Sequence, residues 1–346
     1  MTNLDRISGS LDQTLGIDIG GGIMIDGVSS ARNPFRPTPA RRRYDAEVLK
    51  PLIGAPTTDS GDLGALRENA LESFAGFYRT SDDEVEITDE ILLTEQGSLR
   101  VRLYIPRNGY TGGLLWVHGG AFVLGFPEVD DDICRHLAIT HARLVLSPDY
   151  RLAPEHHYPA AEQDCQSAFN FLREMILDNH PMAPIAIAGA SAGGALALET
   201  ALQAIASGAT VERLLLIYPV VDSALKSESM ARYESAPIFD GEHARLMWQR
   251  YLGDTNRNSW ISPIEHPMLE LLPLTLVVTT EHDPLRDEGL DLIRSLLSSG
   301  VSVQALHFAG SYHAFDRLAP MSKMAKELLA TLDSFLSRPL LVQVDL

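Results

Sequence analysis

From about Ile87 onward, short apolar runs alternate with stretches whose apolar residues recur at helical spacing. The segment "EILLTEQGSLRVRLYIP" holds two strand-like runs about a Gln-Gly turn and predicts a hairpin. The runs "GGLLWVHG", "ARLVLSPDY", "PIAIAGA", "ERLLLIYP", "LTLVVTTE" and "VSVQALHF" predict buried strands. Helical patterns fill most of the gaps, notably "AAEQDCQSAFNFLREMILD", "AGGALALETALQAIA", "RDEGLDLIRSLLSS" and "MSKMAKELLATLDSFLS". Apolar strands alternating with helices predict an α/β fold: a mostly parallel sheet, helices on both faces and the antiparallel hairpin at one edge.

Two regions depart from this rhythm. Before Asp82 the chain is rich in Gly, Pro, Arg and Ser, with one amphipathic helix in which Leu66, Ala70, Phe74 and Tyr78 recur every fourth residue. It reads as a lid or docking arm. Between Pro219 and Leu274 lies an insertion too long for a simple crossover, with Ala244, Met247, Trp248, Tyr251 and Leu252 on one helical face and Asp240 as N-cap. Such a helix either packs as decoration on the core or caps a site at the carboxyl ends of the strands, where open α/β sheets bind ligands.

Composition narrows the partner. With 346 residues and 45% hydrophobic content the chain has ample material for a core. Its net charge of −18 disfavours nucleic acid and anionic membrane surfaces, which would repel it, and leaves a small molecule. Cys134 and Cys165 fall in helix-like segments without C-x-x-C spacing, so packed thiols are expected, with no disulfide or metal site. His156 and His157 have no further ligand at helical spacing and read as loop residues. No basic leader precedes an apolar run, and no run approaches the ~18 residues of a membrane span, so a cytoplasmic location is expected.

The candidate chemistry centres on "GASAGG", a G-x-S-x-G pattern around Ser191. Chance supplies that pattern in about one chain of this length in ten, so context decides. Here a buried strand precedes the serine and an apolar-faced helix follows, the strand-turn-helix setting of a nucleophile elbow. A serine hydroxyl needs a base, and the base a carboxylate that holds its tautomer. Asp283 follows "LTLVVTTE" and His313 follows "VSVQALHF", which places both at the same sheet edge as Ser191 in the order Ser, Asp, His. Asp283 also suits a helix cap before Pro284, and Asp287 is the rival acid, although it falls inside the following helix. In "WVHGGAF" the backbone N–H groups of Gly119 and Gly120, with that of Ala192, are candidates for an oxyanion hole.

The motifs "HGGAF", "DYRLAPEHHYPAA", "GASAGG", "YPVVD", "DPLRDEG" and "GSYHAF", in this order, resemble the bacterial hormone-sensitive lipase-like esterases, or family IV carboxylesterases, of the α/β-hydrolase superfamily. The resemblance runs from about Ile87 to the C-terminus. It implies an α/β-hydrolase fold with a mostly parallel eight-stranded sheet and a helical cap. Ser191 would be nucleophile, Asp283 acid and His313 base, with the oxyanion hole at Gly119, Gly120 and Ala192. It further implies a cap assembled from residues 1–85 and 222–262 about a core of 86–221 and 263–346. Asp149, Arg151 and Glu155 would form buried polar contacts beneath the site, and a homodimer through the last strand is a family habit. Two departures stand out: Ala121 replaces the third glycine of an H-G-G-G run, and Ala190 stands where a polar residue usually precedes the nucleophile. The stretch "LGIDIGGGIMIDG" has no counterpart in the family.

The expected function is a cofactor-free serine carboxylesterase acting on short- to medium-chain acyl esters through an acyl-enzyme. An amide or N-acetyl hydrolase with the same triad, and a binding protein that has lost catalysis, are the alternatives. Candidate pocket-lining residues are Phe122, Phe126, Tyr218, Trp248 and Tyr312, each also an ordinary core aromatic.

Overall fold

The computed structural model describes residues 42–53, 62–74, 81–253, 260 and 262–339. The chain enters through the short helix α1 (Ala46–Leu49) and α2 (Leu63–Phe74), then forms the hairpin β1 (Val85–Thr94) and β2 (Gly97–Pro106). There follow β3 (Gly112–Val117), α3 (Asp131–His141), β4 (Arg143–Pro148), α4 (Ala160–Asn179), β5 (Ile185–Ala190), α5 (Ala192–Ala206) and β6 (Leu214–Ile217). The insertion carries α6 (Glu228–Arg232) and α7 (Gly241–Leu252). The chain then returns through β7 (Thr275–His282), α8 (Arg286–Ser298), β8 (Val303–Tyr312), α9 (Phe315–Leu318) and α10 (Lys323–Ser337).

The eight strands form one sheet in the order β1-β2-β4-β3-β5-β6-β7-β8. β2 runs antiparallel to both its neighbours, and from β4 through β8 all pairings are parallel. Every residue of β3, β4, β5 and β6 is buried. This is the signature of strands covered on both faces, which is why they read as continuous apolar runs. One core layer holds Phe169, Leu196 and Leu292, and the other Trp116, Leu137 and Leu332, on opposite sides of the sheet. No helix among the described residues is long and apolar enough to cross a membrane.

Local sequence accounts for the element boundaries. Asp240 caps α7 by accepting from the Glu242 and His243 amides, and Ser322 caps α10 through Ala325. The α7 face expected to be apolar, Ala244, Met247, Trp248, Tyr251 and Leu252, is the buried one. Of the stripe expected on α2, Leu66 is half-buried, and the helix ends at Phe74; Tyr78 and the glycine-rich stretch 15–27 lie outside the described residues. Both cysteines are free and buried.

One expectation needs correction. Asp149, Arg151 and Glu155 make polar contacts that are only partly buried, or in the case of Glu155 exposed. Asp149 pairs with Arg100 at 2.9 Å and Arg151 with Asp164 at 2.9 Å. Glu155 meets Arg67 of α2 at 2.7 Å with its side chain 54% exposed. The three side chains point different ways because the segment leaves β4 as a loop, without the fixed alternation of a strand. Arg67 also donates to the carbonyls of Val123 and Ala153, so α2 is tied to the loop after β3.

Burial separates the helix residues sharply. Leu332→Ala on α10, at a fully buried position, is expected to destabilise the fold by about 2–5 kcal/mol. Leu297→Ala on α8, 57% exposed, is expected to change it by less than about 0.5 kcal/mol. Urea unfolding of the two variants measures the contrast.

Candidate active site

Ser191 sits at the tip of the β5–α5 turn with φ 56° and ψ −123°, a backbone conformation that is costly for a residue with a Cβ. The corner is fixed from three directions. The Ser191 amide donates to the Ile217 carbonyl at 2.9 Å, and its carbonyl accepts from Gly194 at 2.9 Å and Val220 at 3.1 Å. The glycines on either side are required by close approach: a Cβ on Gly189 would overlap the Gly193 carbonyl, and one on Gly193 would overlap the carbonyls of Val117 and His118.

β7 ends at His282, so Asp283 emerges beside this corner, and β8 runs on to Tyr312, which delivers His313 there too. Asp283 Oδ2 lies 2.8 Å from His313 Nδ1, and His313 Nε2 lies 2.9 Å from Ser191 Oγ. Asp283 is held by the Thr280 hydroxyl, donating to Oδ2 at 2.7 Å, and by the Leu285 amide, donating to Oδ1 at 2.9 Å. All three side chains are buried. A carboxylate at Nδ1 places the imidazole proton there and turns the free lone pair of Nε2 toward the serine hydroxyl. Asp283 does not cap the helix as the sequence allowed: the N-cap is Leu285, without a side-chain cap bond, and Oδ1 of Asp283 accepts from the Leu285 amide in the turn ahead of the helix while Oδ2 meets His313. Asp287 is directed elsewhere: it accepts from Arg286 at 2.7 Å and from the Ser229 amide at 2.7 Å. Burial raises its carboxyl, but those contacts outweigh burial and hold it below the usual range.

Across from the serine, a Cβ on Gly119 would stand 3.3 Å from Ser191 Cβ, so the loop after β3 lies against the elbow. Among the described residues no backbone acceptor takes the amides of Gly119, Gly120 or Ala192, which leaves three donors near Ser191. The loop is strained at two consecutive non-glycine positions, Ala121 (φ 54°) and Phe122 (φ 59°). Ala121 adopts the left-handed backbone that a glycine takes without cost, and Val123, Leu124 and Ala153 amides bond the loop carbonyls to hold it.

A cleft of about 280 Å³ opens over Ser191 and His313, bordered by Leu66 of α2, Phe239 and Met247 of the insertion, Val123, and Leu318 of α9. Ala190 also borders it, so the small residue before the serine leaves open space where a longer side chain would intrude. Of the five aromatic residues expected to line it, Tyr218 does; its ring edge meets His313 at 4.8 Å. The others are corrected. Phe122 is buried flat against Tyr251 at 3.8 Å, and Trp248 belongs to the same aromatic cluster. Tyr312 is fully buried in the core layer of Trp116 and Leu332, where its hydroxyl donates to the Val48 carbonyl at 2.7 Å, and neither it nor Phe126 borders the cleft. Residues not foreseen are Thr280 behind Asp283, and His243 and the ion pair Asp130–Arg317 on the cleft wall. Only Thr280, a hydroxyl three residues before the acid, left a readable trace in sequence. His156 and His157 are away from this site, and His157 Nδ1 bonds to the Arg250 carbonyl at 2.7 Å.

With strand order, elbow and cleft in view, the architecture is that of an α/β hydrolase. Residues 114–317 match the alpha/beta hydrolase fold family. An arylesterase of Saccharolobus solfataricus is 35% identical over 239 residues, 66% of this chain and 77% of that protein. An ethyl acetate hydrolase of Pseudomonas putida is 30% identical over 274 residues, 75% of this chain and 85% of that protein. The solved structure of a bacterial heroin esterase superposes with a TM-score of 0.80 at 30% identity, covering 85% of this chain and 96% of that one. The chain belongs to the α/β-hydrolase fold family and, within it, to the hormone-sensitive lipase-like (family IV) carboxylesterases: it is a carboxylic ester hydrolase.

His118, next to Gly119 and Gly120, is fully buried, stacked on Tyr150 at 4.2 Å, and bonded through Nδ1 to the Gly119 carbonyl at 2.7 Å. Burial pulls its imidazole down from 6.5 to about 4. The unfolded chain binds the proton first, so the stability this neutral ring contributes is complete above pH 6.5 and is lost as pH falls to about 4. The loss is on the order of 3 kcal/mol. His118→Asn is expected to flatten the fall in urea stability between pH 7.5 and 4.5.

Proposed function

We propose that the chain cleaves esters through a Ser191 acyl-enzyme, with His313 as general base and acid and Asp283 as its orienting carboxylate. The observation that carries the reading is the unbroken chain Asp283–His313–Ser191, at 2.8 and 2.9 Å, which opens on an apolar cleft beside unpaired amides. Ser191 Oγ attacks the ester carbonyl while His313 Nε2 takes the hydroxyl proton. The oxyanion meets the amides of Gly119, Gly120 and Ala192; each such donor lowers the barrier by about 3–4 kcal/mol. On collapse, His313 returns the proton to the leaving alcohol. Water, deprotonated by the same nitrogen, then attacks the acyl-enzyme and releases the acid.

A short to medium acyl chain suits a cleft of about 280 Å³, and one relative is an ethyl acetate hydrolase. We read α7 and the N-terminal arm as a cap, since Met247 and Leu66 border the cleft from either element. An amide hydrolase would share every group named. Pairing of two copies through β8 would leave this chemistry within each subunit, and size-exclusion chromatography tests it: a monomeric profile removes it.

p-Nitrophenyl esters of increasing acyl length test the reading. Ser191→Ala is expected to lower kcat by about 10⁴-fold or more. An undiminished rate in that variant, or no turnover by the unaltered enzyme on any ester, overturns it. Asp283→Asn is expected to lower kcat by about 10²–10⁴-fold. Asp287→Asn, whose carboxylate holds Ser229 and Arg286, is expected to stay within about threefold; a larger loss at Asp287 reverses the assignment.

A further inference from the structure

Glu162 is a buried acid for which the reaction above has no use. It lies on α4, 3% exposed. One carboxyl oxygen, Oε1, accepts the phenol proton of Tyr251 on α7, and Oε2 is buried with no partner. The groups facing it are Tyr158 from the preceding loop, Asp164 and Cys165 from its own helix, Glu199 from α5, and Tyr251. Asp164 is occupied by Arg151, and none of these neighbours is a cation. Burial, partly offset by the Tyr251 hydrogen bond, therefore pushes the Glu162 carboxyl up to about 7.

Tyr251 does not border the cleft; its ring packs against the loop after β3. It stacks on Phe122 at 3.8 Å and 8° between planes, and its carbonyl accepts from the Tyr158 amide at 2.9 Å. Phe122 follows Gly119, Gly120 and Ala121 directly and holds a positive φ of 59°. A left-handed residue of this bulk persists only when its surroundings hold it. A continuous path thus runs from the buried carboxyl through the phenol ring to the strained loop that carries two of the three free amides.

We propose that Tyr251 is a positioning residue for ester cleavage: anchored on Glu162, it clamps Phe122 and holds the Gly119–Gly120 amides at the oxyanion. The clamp rests on the reading of these amides as oxyanion donors. It joins the insertion helix to the site without touching substrate. Its strength follows the state of its anchor. When α7 lifts and water reaches Glu162, the carboxyl returns toward its ordinary 4.5, whereas the closed arrangement keeps its proton up to about 7. The closed form is therefore favoured most below pH 4.5, loses ground as pH rises to about 7, and levels off above it, a shift of up to about 300-fold in the closed-to-open ratio.

The test compares kcat and KM on p-nitrophenyl butyrate for the unaltered enzyme, Tyr251→Phe and Glu162→Gln between about pH 5 and 9, beside tryptophan emission in the same buffers. Tyr251→Phe keeps the stacked ring and loses the anchor, so kcat is expected to fall about tenfold with KM within about twofold. Glu162→Gln keeps an acceptor for the phenol and does not ionise. Its kcat relative to the unaltered enzyme is expected to rise severalfold between pH 5 and 7 and then stay level. The emission of Trp248, whose ring lies 5.8 Å from Phe122, is expected to change over the same interval in the unaltered enzyme and not in Glu162→Gln. A Tyr251→Phe variant with undiminished kcat, or a pH-independent ratio for Glu162→Gln, overturns the clamp. Should the unaltered enzyme cleave no ester, the esterase reading falls by itself; the emission titration still decides the clamp, and an emission that ignores pH overturns it.

Discussion

The close approach of α5 to β5 at Gly189 and Gly193 is the constraint around which the molecule is arranged. Where a Cβ on either residue would overlap a carbonyl, the backbone turns from strand to helix without an intervening loop and leaves Ser191 at positive φ. That strain persists because Ile217 and Val220 hold the corner from β6 and the segment after it. The sheet order then does the remaining work of assembly. β7 and β8 lie in sequence beyond β6, so the loops at their carboxyl ends deliver an acid and a histidine to the same edge.

The second arm of the site is strained as well. Ala121 and Phe122 hold left-handed backbones with no glycine to ease them, and their support comes from outside the loop. Arg67 of α2 grips the Val123 carbonyl, Ala153 donates to Phe122, and Tyr251 covers the Phe122 ring. The N-terminal helix and the insertion therefore do more than roof the cleft. They brace the loop that carries the free amides, which makes the two non-sheet regions part of the geometry of the cleft.

Several buried ionic groups among the described residues are paired with an opposite charge, Arg102 with Asp131 and Arg143 with Glu212. Glu162 and Glu288 have no such partner: Glu162 has only a phenol for company, and Glu288 accepts from the Val221 and Asp222 amides. Asp287, by contrast, is paired, its two oxygens taken by Arg286 and the Ser229 amide, whereas Asp283 is the carboxylate that meets His313.

The alternation of strands and helices, the tight corner at Ser191 and the arrival of Asp283 and His313 beside it were legible in the sequence because each depends on local pattern: apolar runs of strand length, glycines at a tight corner, and a chemical group just past a strand end. The apolar face of α7 was legible for the same reason, helical spacing. The lining of the cleft was not. Phe122, Trp248 and Tyr312 look alike in sequence, yet tertiary packing sends two of them into an aromatic cluster and the third into the other core layer. The direction of Glu155, the occupation of Asp287 and the isolation of Glu162 were likewise decided only by the fold. A side chain's environment is made by elements distant along the chain, and no local pattern encodes which of them arrives beside it.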